Sequence, residues 1–208
     1  MIYEARFPLL SFVECVPPAL TEHVANVTDT PAAEIVFRSP IAMLQARSLD
    51  DVLPTLRAVE DWTSRGYWAA GFLSYEAAPA FDPAMETHPP DLLPLASFAI
   101  FDSFELEENP PDLGGTGALA PPSEWRPLLS RQDYLKAVGR ILELIARGET
   151  YQVNFTFPLV AEWEADDVEF YHRLVALQPS PQTALLRGND FGILCASPEL
   201  FFELAGER

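Results

Sequence analysis

The stretch from Glu105 to Pro127 limits what this chain can fold into more than any other. It holds five prolines (Pro110, Pro111, Pro121, Pro122, Pro127) and three glycines (Gly114, Gly115, Gly117). Proline lacks a backbone donor and glycine resists ordering, so neither a helix nor a central strand can run through it. It reads as a flexible connection. The expected organisation is therefore a β-rich region with one helix over 1–104, the connection over 105–127, and a second region over 128–208.

Within the first region, Ile35–Arg38 and Ile41–Ala46 read as strands, with Ser39-Pro40 as the turn. Leu49, Val52, Leu53, Leu56 and Val59 recur at helical spacing behind Ser48 as N-cap, and Gly66 stops the run. Pro54 suggests a regular helix that begins near that residue. Tyr67–Glu76 is almost wholly apolar, as in a strand buried on both faces. Ala96–Phe101 is a further strand.

The second region opens with the clearest amphipathic pattern. Ser130 and Asp133 form a capping-box variant. Tyr134, Val138, Ile141, Leu142 and Ile145 share one face, and Gly148 ends the helix. A strand is expected over Tyr151–Ala161 and a helix from Asp166-Asp167, with Val168, Tyr171, Leu174 and Val175 inward. A hairpin follows around Gly188-Asn189-Asp190, then a last strand from Leu200 to Leu204. That last strand has no partner in the sequence that follows it up to Arg208, and an unpaired strand is an exposed edge. The fold class is α+β, with mainly antiparallel sheets and a few packed helices.

Composition narrows the function. Of 208 residues 49% are hydrophobic, ample for a core, which excludes a disordered chain. Thirteen basic against 31 acidic residues give a net charge of −18. Nucleic acid and anionic membrane surfaces would repel such a chain, whereas a small anionic substrate can still find a locally positive pocket. No apolar run reaches the ~18 residues of a membrane span, and no basic-then-apolar leader is present. A cytoplasmic location follows as the expectation. Cys15 and Cys195 are too few for a disulfide framework and read as buried thiols. His23, His88 and His172 lack ligand spacing and read as surface or internally satisfied histidines. Lys136 is the one lysine, so lysine chemistry must use it or be absent.

Two short segments carry more chemistry than a core requires. In Tyr151–Thr156, Gln152 and Asn154 alternate with Tyr151, Val153 and Phe155. Amides are poor strand formers, so this row is either a solvent face or a set of hydrogen-bonding groups turned toward protein or ligand. In Ser197-Pro198-Glu199, the proline breaks an otherwise continuous strand and leaves Glu199 beside Leu200-Phe201-Phe202. A carboxyl in apolar surroundings is held neutral more easily and suits general acid–base work; an ordinary strand-edge glutamate is the alternative.

Taken together, ARGETYQVNFTFPL (Ala146–Leu159) and, about forty residues on, ASPELFFEL (Ala196–Leu204) resemble the chorismate-utilising enzymes. QPSPQTALL (Gln178–Leu186) is similar to that family's Pro-x-Pro-aromatic segment. AAGFLSYEAAPAFDP (Ala69–Pro83) and PLASFAIFD (Pro94–Asp102) resemble its aminodeoxychorismate synthase component I branch, in the version often fused to a lyase. The resemblance implies part of a large two-sheet fold and amination of chorismate at C4 for p-aminobenzoate and folate synthesis. It further implies ammonia from a glutamine amidotransferase subunit and Mg²⁺ as cofactor. Glu199 takes the family's general acid–base role. The family's nucleophilic lysine lies in a Pro-Ile-Lys-Gly-Thr motif that is not found here, and Lys136 is in no matching motif. The Mg²⁺ carboxylates fall beyond Arg208, so the chain resembles the N-terminal half of a synthase, inactive by itself. Half a core would favour self-association or pairing with the missing half.

The family's aromatic amino acid pocket maps onto Ser39, Tyr151 and Pro181. Arg38 and Gln182 depart from the feedback-inhibited pattern, which argues against regulation by tryptophan and leaves room for a structural ligand. Two other readings share the scaffold: an anthranilate or isochorismate synthase-like enzyme, and a catalytically silent amino acid-binding module.

Overall fold

The computed structural model describes residues 2–8, 33–90, 92–107, 124–164 and 166–202. The backbone forms two compact units, residues 1–114 with 167–208, and residues 115–166.

The larger unit begins with β1 (Ile2–Pro8), β2 (Glu34–Arg38) and β3 (Ala42–Ala46). Helix α1 (Leu49–Ser64) follows, then β4 (Trp68–Leu73), a 3₁₀ turn (Tyr75–Ala80), β5 (Ala96–Phe101) and β6 (Glu105–Glu107). After the other unit the chain returns with a helix over Asp167–Leu177, β9 (Thr183–Gly188) and β10 (Gly192–Ala196). Every strand pair is antiparallel. One sheet runs β10-β9-β1-β2-β6 and another β3-β5-β4.

Alternation along each strand decides the layers. Ala5, Ile35, Phe37 and Leu186 of the first sheet face Ala70, Ala99 and Phe101 of the second, closing the main core with Ile2. The opposite face of the second sheet holds Ala46 and Ala96, which pack with Val52 of α1 and with Ala77 and Leu95. Gly71 of β4 has no room for a side chain against β5: a Cβ there would stand 2.1 Å from the Ser97 carbonyl oxygen. The fold class is thus α+β with mainly antiparallel sheets, as expected from the sequence.

Several boundaries differ from expectation. Helix α1 starts at Leu49 rather than near Pro54. Asp50 and Asp51 open its first turn, and Pro54 removes a single donor just inside it. The strand expected over Tyr67–Glu76 ends at Leu73, is only half-buried, and turns into the 3₁₀ segment. Residues 167–202 belong to the larger unit, where β9 pairs with β1. The expected connection is bounded by β6 and by Arg126–Pro127; residues 108–123, and with them most of its prolines, lie outside the described residues, as do Cys15 and His23.

In the smaller unit, β7 (Arg126–Pro127) pairs with β8 (Leu159–Val160), and helix α2 (Arg131–Ala146) lies between them in sequence. Ser130 caps α2 by accepting from the Asp133 N–H at 3.1 Å, and Gly148 leaves the helix with φ +73°. No residue of α2 is buried; Tyr134 meets Phe155 and Phe157 at ring distances of 5.8 and 5.7 Å. The helix Asp167–Leu177 is α3 hereafter. Among the described residues no helix is long and apolar enough to cross a membrane.

Candidate functional site

The segment after β10 is organised by side chains in place of a sheet ladder. The β10–β9 pairing ends at Ala196–Thr183, and Pro198 has no N–H to continue it. The turn between α3 and β9 supplies the substitutes. Gln178 Nε2 donates to the Ala196 carbonyl at 3.1 Å, and Ser180 Oγ donates to the Ser197 carbonyl at 2.6 Å. Ser180 Oγ also accepts from the Gln182 N–H at 3.2 Å. One step on, Ser197 Oγ accepts from the Glu199 N–H at 3.4 Å and donates to the Glu199 carbonyl at 2.8 Å. Cys195 Sγ, half-buried rather than buried, reaches the Gln182 carbonyl at 3.6 Å. The structure therefore joins the Pro181 turn to the bend that carries Glu199.

The surroundings of Glu199 depart from the sequence reading. Its side chain is exposed, and Leu200 and Phe202 beside it are exposed as well, with Phe201 at 95%. The expected strand from Leu200 is unpaired over Leu200–Phe202, and the remainder lies outside the described residues. With no strand pair after Pro198, nothing among the described residues folds over the carboxylate, and the expected apolar enclosure is not formed.

Of the three expected pocket residues, Ser39 and Pro181 lie apart within the larger unit, and Tyr151 belongs to the smaller one. Ser39 turns the chain between β2 and β3 with φ 56°. It follows Arg38, which pairs through Glu4 with Arg187 near the end of β9. Pro181 precedes the start of β9, so the two sit at opposite ends of that strand. Tyr151 belongs to the other unit and is 93% exposed. The strand expected around it is reduced to Leu159–Val160. Local bonds replace the ladder: Thr150 Oγ1 donates to the Gln152 carbonyl at 3.0 Å, and Gln152 Nε2 to Asn154 Oδ1 at 3.3 Å.

An ionic layer that sequence reading did not single out lies on the α3 side of the five-stranded sheet. Arg6, nearly buried, binds Glu4 at 2.7 Å, Glu34 at 3.3 Å and Glu107 at 2.6 Å. Arg38 holds Glu105 and Glu107, and Arg187 holds Glu4 at 3.1 Å. From α3, His172 is buried with Nε2 3.2 Å from Glu34 Oε2, while its Nδ1 is buried without a partner. Burial alone would raise the Glu107 pKa, but hydrogen bonds from Arg38 and Arg6 hold it below the ordinary glutamate value. The available signal was Glu4 and Arg6, two apart between apolar residues in IYEARFP, a strand period that puts both ions on one face.

A groove of about 430 Å³ runs between the start of α1 and the 3₁₀ segment, lined by Leu49, Leu53, Pro54, Arg57 and Pro79, and holds none of the expected site residues. Among the described residues no three His, Cys, Asp or Glu side chains are grouped to hold a metal ion.

Residues 17–208 match the family described as chorismate binding enzyme. This chain belongs to that family. Relatives of the chorismate binding enzyme family bear two different names. Over 89 residues the chain is 34% identical to anthranilate synthase component 1 of Pseudomonas putida, covering 43% of this chain and 18% of that protein. It is 32% identical over 82 residues to aminodeoxychorismate synthase component 1 of Salmonella typhimurium, covering 39% and 18%. It is 34% identical over 74 residues to aminodeoxychorismate synthase component 1 of Bacillus subtilis, covering 36% and 16%. The matched stretches span less than a fifth of the length of these relatives.

Proposed function

We propose that this chain supplies the N-terminal part of an aminodeoxychorismate synthase component I, which replaces the C4 hydroxyl of chorismate with an amino group. Family membership supports chorismate as the substrate. The observation that carries the reading is the bend at Ser197-Pro198-Glu199, where a carboxyl is held by its backbone rather than by a sheet ladder.

In this reading Glu199 is the general acid. Its carboxyl proton passes to the C4 hydroxyl as the C–O bond breaks and water leaves; ammonia forms the new C4–N bond, and the proton that the resulting ammonium sheds returns the glutamate to its neutral form. Ammonia, from a glutamine amidotransferase partner or from ammonium in solution, supplies the nitrogen. A neutral carboxyl near pH 7 requires an apolar cover over Glu199. The exposed Leu200, Phe201 and Phe202 offer an apolar surface for whatever part of the full-length protein provides it. The 208 residues alone are then silent in turnover.

The second reading is an anthranilate synthase-like enzyme, favoured by the equal identity of the Pseudomonas putida relative. Product analysis separates the two. Full-length protein incubated with chorismate, ammonium and Mg²⁺ should release 4-amino-4-deoxychorismate; release of anthranilate or isochorismate instead would reject the first reading. Turnover by the 208-residue chain alone would reject its assignment as an incomplete half. The third reading, an amino acid-binding module, is tested by calorimetry with tryptophan. Micromolar binding, about −8 kcal/mol, would favour it.

A further inference from the structure

Two serine hydroxyls act in series at the end of β10. Each accepts one backbone N–H and donates to one backbone carbonyl. Ser180 accepts from Gln182 and donates to Ser197; Ser197 accepts from and donates to Glu199. Gln178 adds a donor to the Ala196 carbonyl just before them. A hydroxyl has one proton to give, so the direction of each bond is set, and the order runs from the α3–β9 turn to Glu199. This matters because residues 197–199 have no strand partner and Glu199 is exposed. A carboxyl on an unpaired segment is located only as well as its backbone. Proton transfer loses rate steeply when donor and acceptor drift from hydrogen-bond distance.

We propose that Ser180 and Gln178 are positioning residues for Glu199: the turn between α3 and β9 sets where that carboxyl stands. This rests on Glu199 being the proton donor. The structural alternative is a strand-end clasp that only adds stability.

The test uses Ser180→Ala, Gln178→Ala, Ser180→Thr and Glu199→Gln. Turnover of chorismate with ammonium and Mg²⁺ is measured on the full-length protein, and amide exchange at Glu199 by NMR on the 208-residue chain. Ser180→Ala should lower kcat about tenfold with KM within about twofold, because an aligning interaction is lost while binding is not. Glu199 amide exchange should rise by a similar factor with β9 and β10 amides unchanged. Gln178→Ala should shift both in the same sense, and Ser180→Thr, which keeps the hydroxyl, should restore both. Unchanged kcat and unchanged Glu199 exchange in Ser180→Ala would overturn the proposal. So would a fall in kcat matched by general acceleration of β9 and β10 exchange, which marks a clasp. Full turnover by Glu199→Gln would instead reject the proton-donor reading, and the exchange data would still decide whether the serines hold the segment.

Discussion

His172 Nε2 stands 3.2 Å from Glu34 Oε2, which ties α3 to β2 across 138 positions of sequence. Both side chains are nearly buried, and Glu34 also faces Arg6. A buried carboxylate with two partners is sensitive to the loss of either. His172→Ala should cost about 2 kcal/mol or more in urea unfolding, from the lost packing and the lost hydrogen bond. In a cycle with Glu34→Gln, the coupling should exceed about 0.5 kcal/mol. Additive single effects would mean that the pair carries no energy.

The position of Glu107 sets an acid limit. Its folded pKa is below the ordinary 4.5 because Arg38 and Arg6 donate to it against the cost of burial. A depressed carboxyl stabilises the fold above the unfolded value and loses that contribution as pH falls through the folded one. The Glu107 contribution should therefore be fully present above about pH 5 and be lost as pH falls below 4.5. Because Glu107 is partly exposed, solvent and salt weaken its share. Glu107→Gln should lower stability at pH 7 and flatten the acid decline, read from denaturant midpoints at several pH values. An equally steep decline in the variant would assign it elsewhere.

Gly71 and Gly139 predict opposite outcomes for one substitution. At Gly71 an added Cβ would collide with the Ser97 carbonyl and with Phe98 Cα at 2.7 Å, both backbone atoms. Gly71→Ala should cost about 3 kcal/mol or more, since β4 and β5 must separate. At Gly139, inside α2, nothing lies within 4 Å, and Gly139→Ala should stabilise by up to about 1 kcal/mol. Thermal unfolding measures both.

The two helix-capping serines are also unequal. Ser130 accepts the Asp133 N–H, whereas Ser48 makes no cap bond and instead donates to Asp51 Oδ2 at 2.6 Å. Ser130→Ala should destabilise α2 by about 1 kcal/mol and Ser48→Ala by clearly less. Amide exchange in the first turn of each helix checks this, and equal losses would remove the distinction.

Local signals carried the elements they could reach. The hairpin of β9 and β10, strands β2 and β5, and the ends of α2 lie where turn residues, caps and apolar period coincide in the sequence. Partner choice was not legible. Nothing in IYEARFP says that it pairs with residues 183–188, since a strand records its period and not its neighbour. Tyr151–Ala161 misled because its apolar alternates suit a strand, yet Phe155 and Phe157 turn to Tyr134 while the amides bond locally. The site was half legible. The proline at 198 announced a bend at Glu199, but its serine links depend on a turn 17 residues earlier and could be seen only in three dimensions.

The placement of β1 between β2 and β9 has a bearing on synthesis at the ribosome. Strand β1 is an inner strand of its sheet, and its neighbour β9 begins only at Thr183. Until then its open flank must wait in solution, so closure of this sheet is a late, long-range event of the slow kind. A chaperone that shields the unpaired β1 would raise the yield of folded protein, because that strand is where misassembly would start.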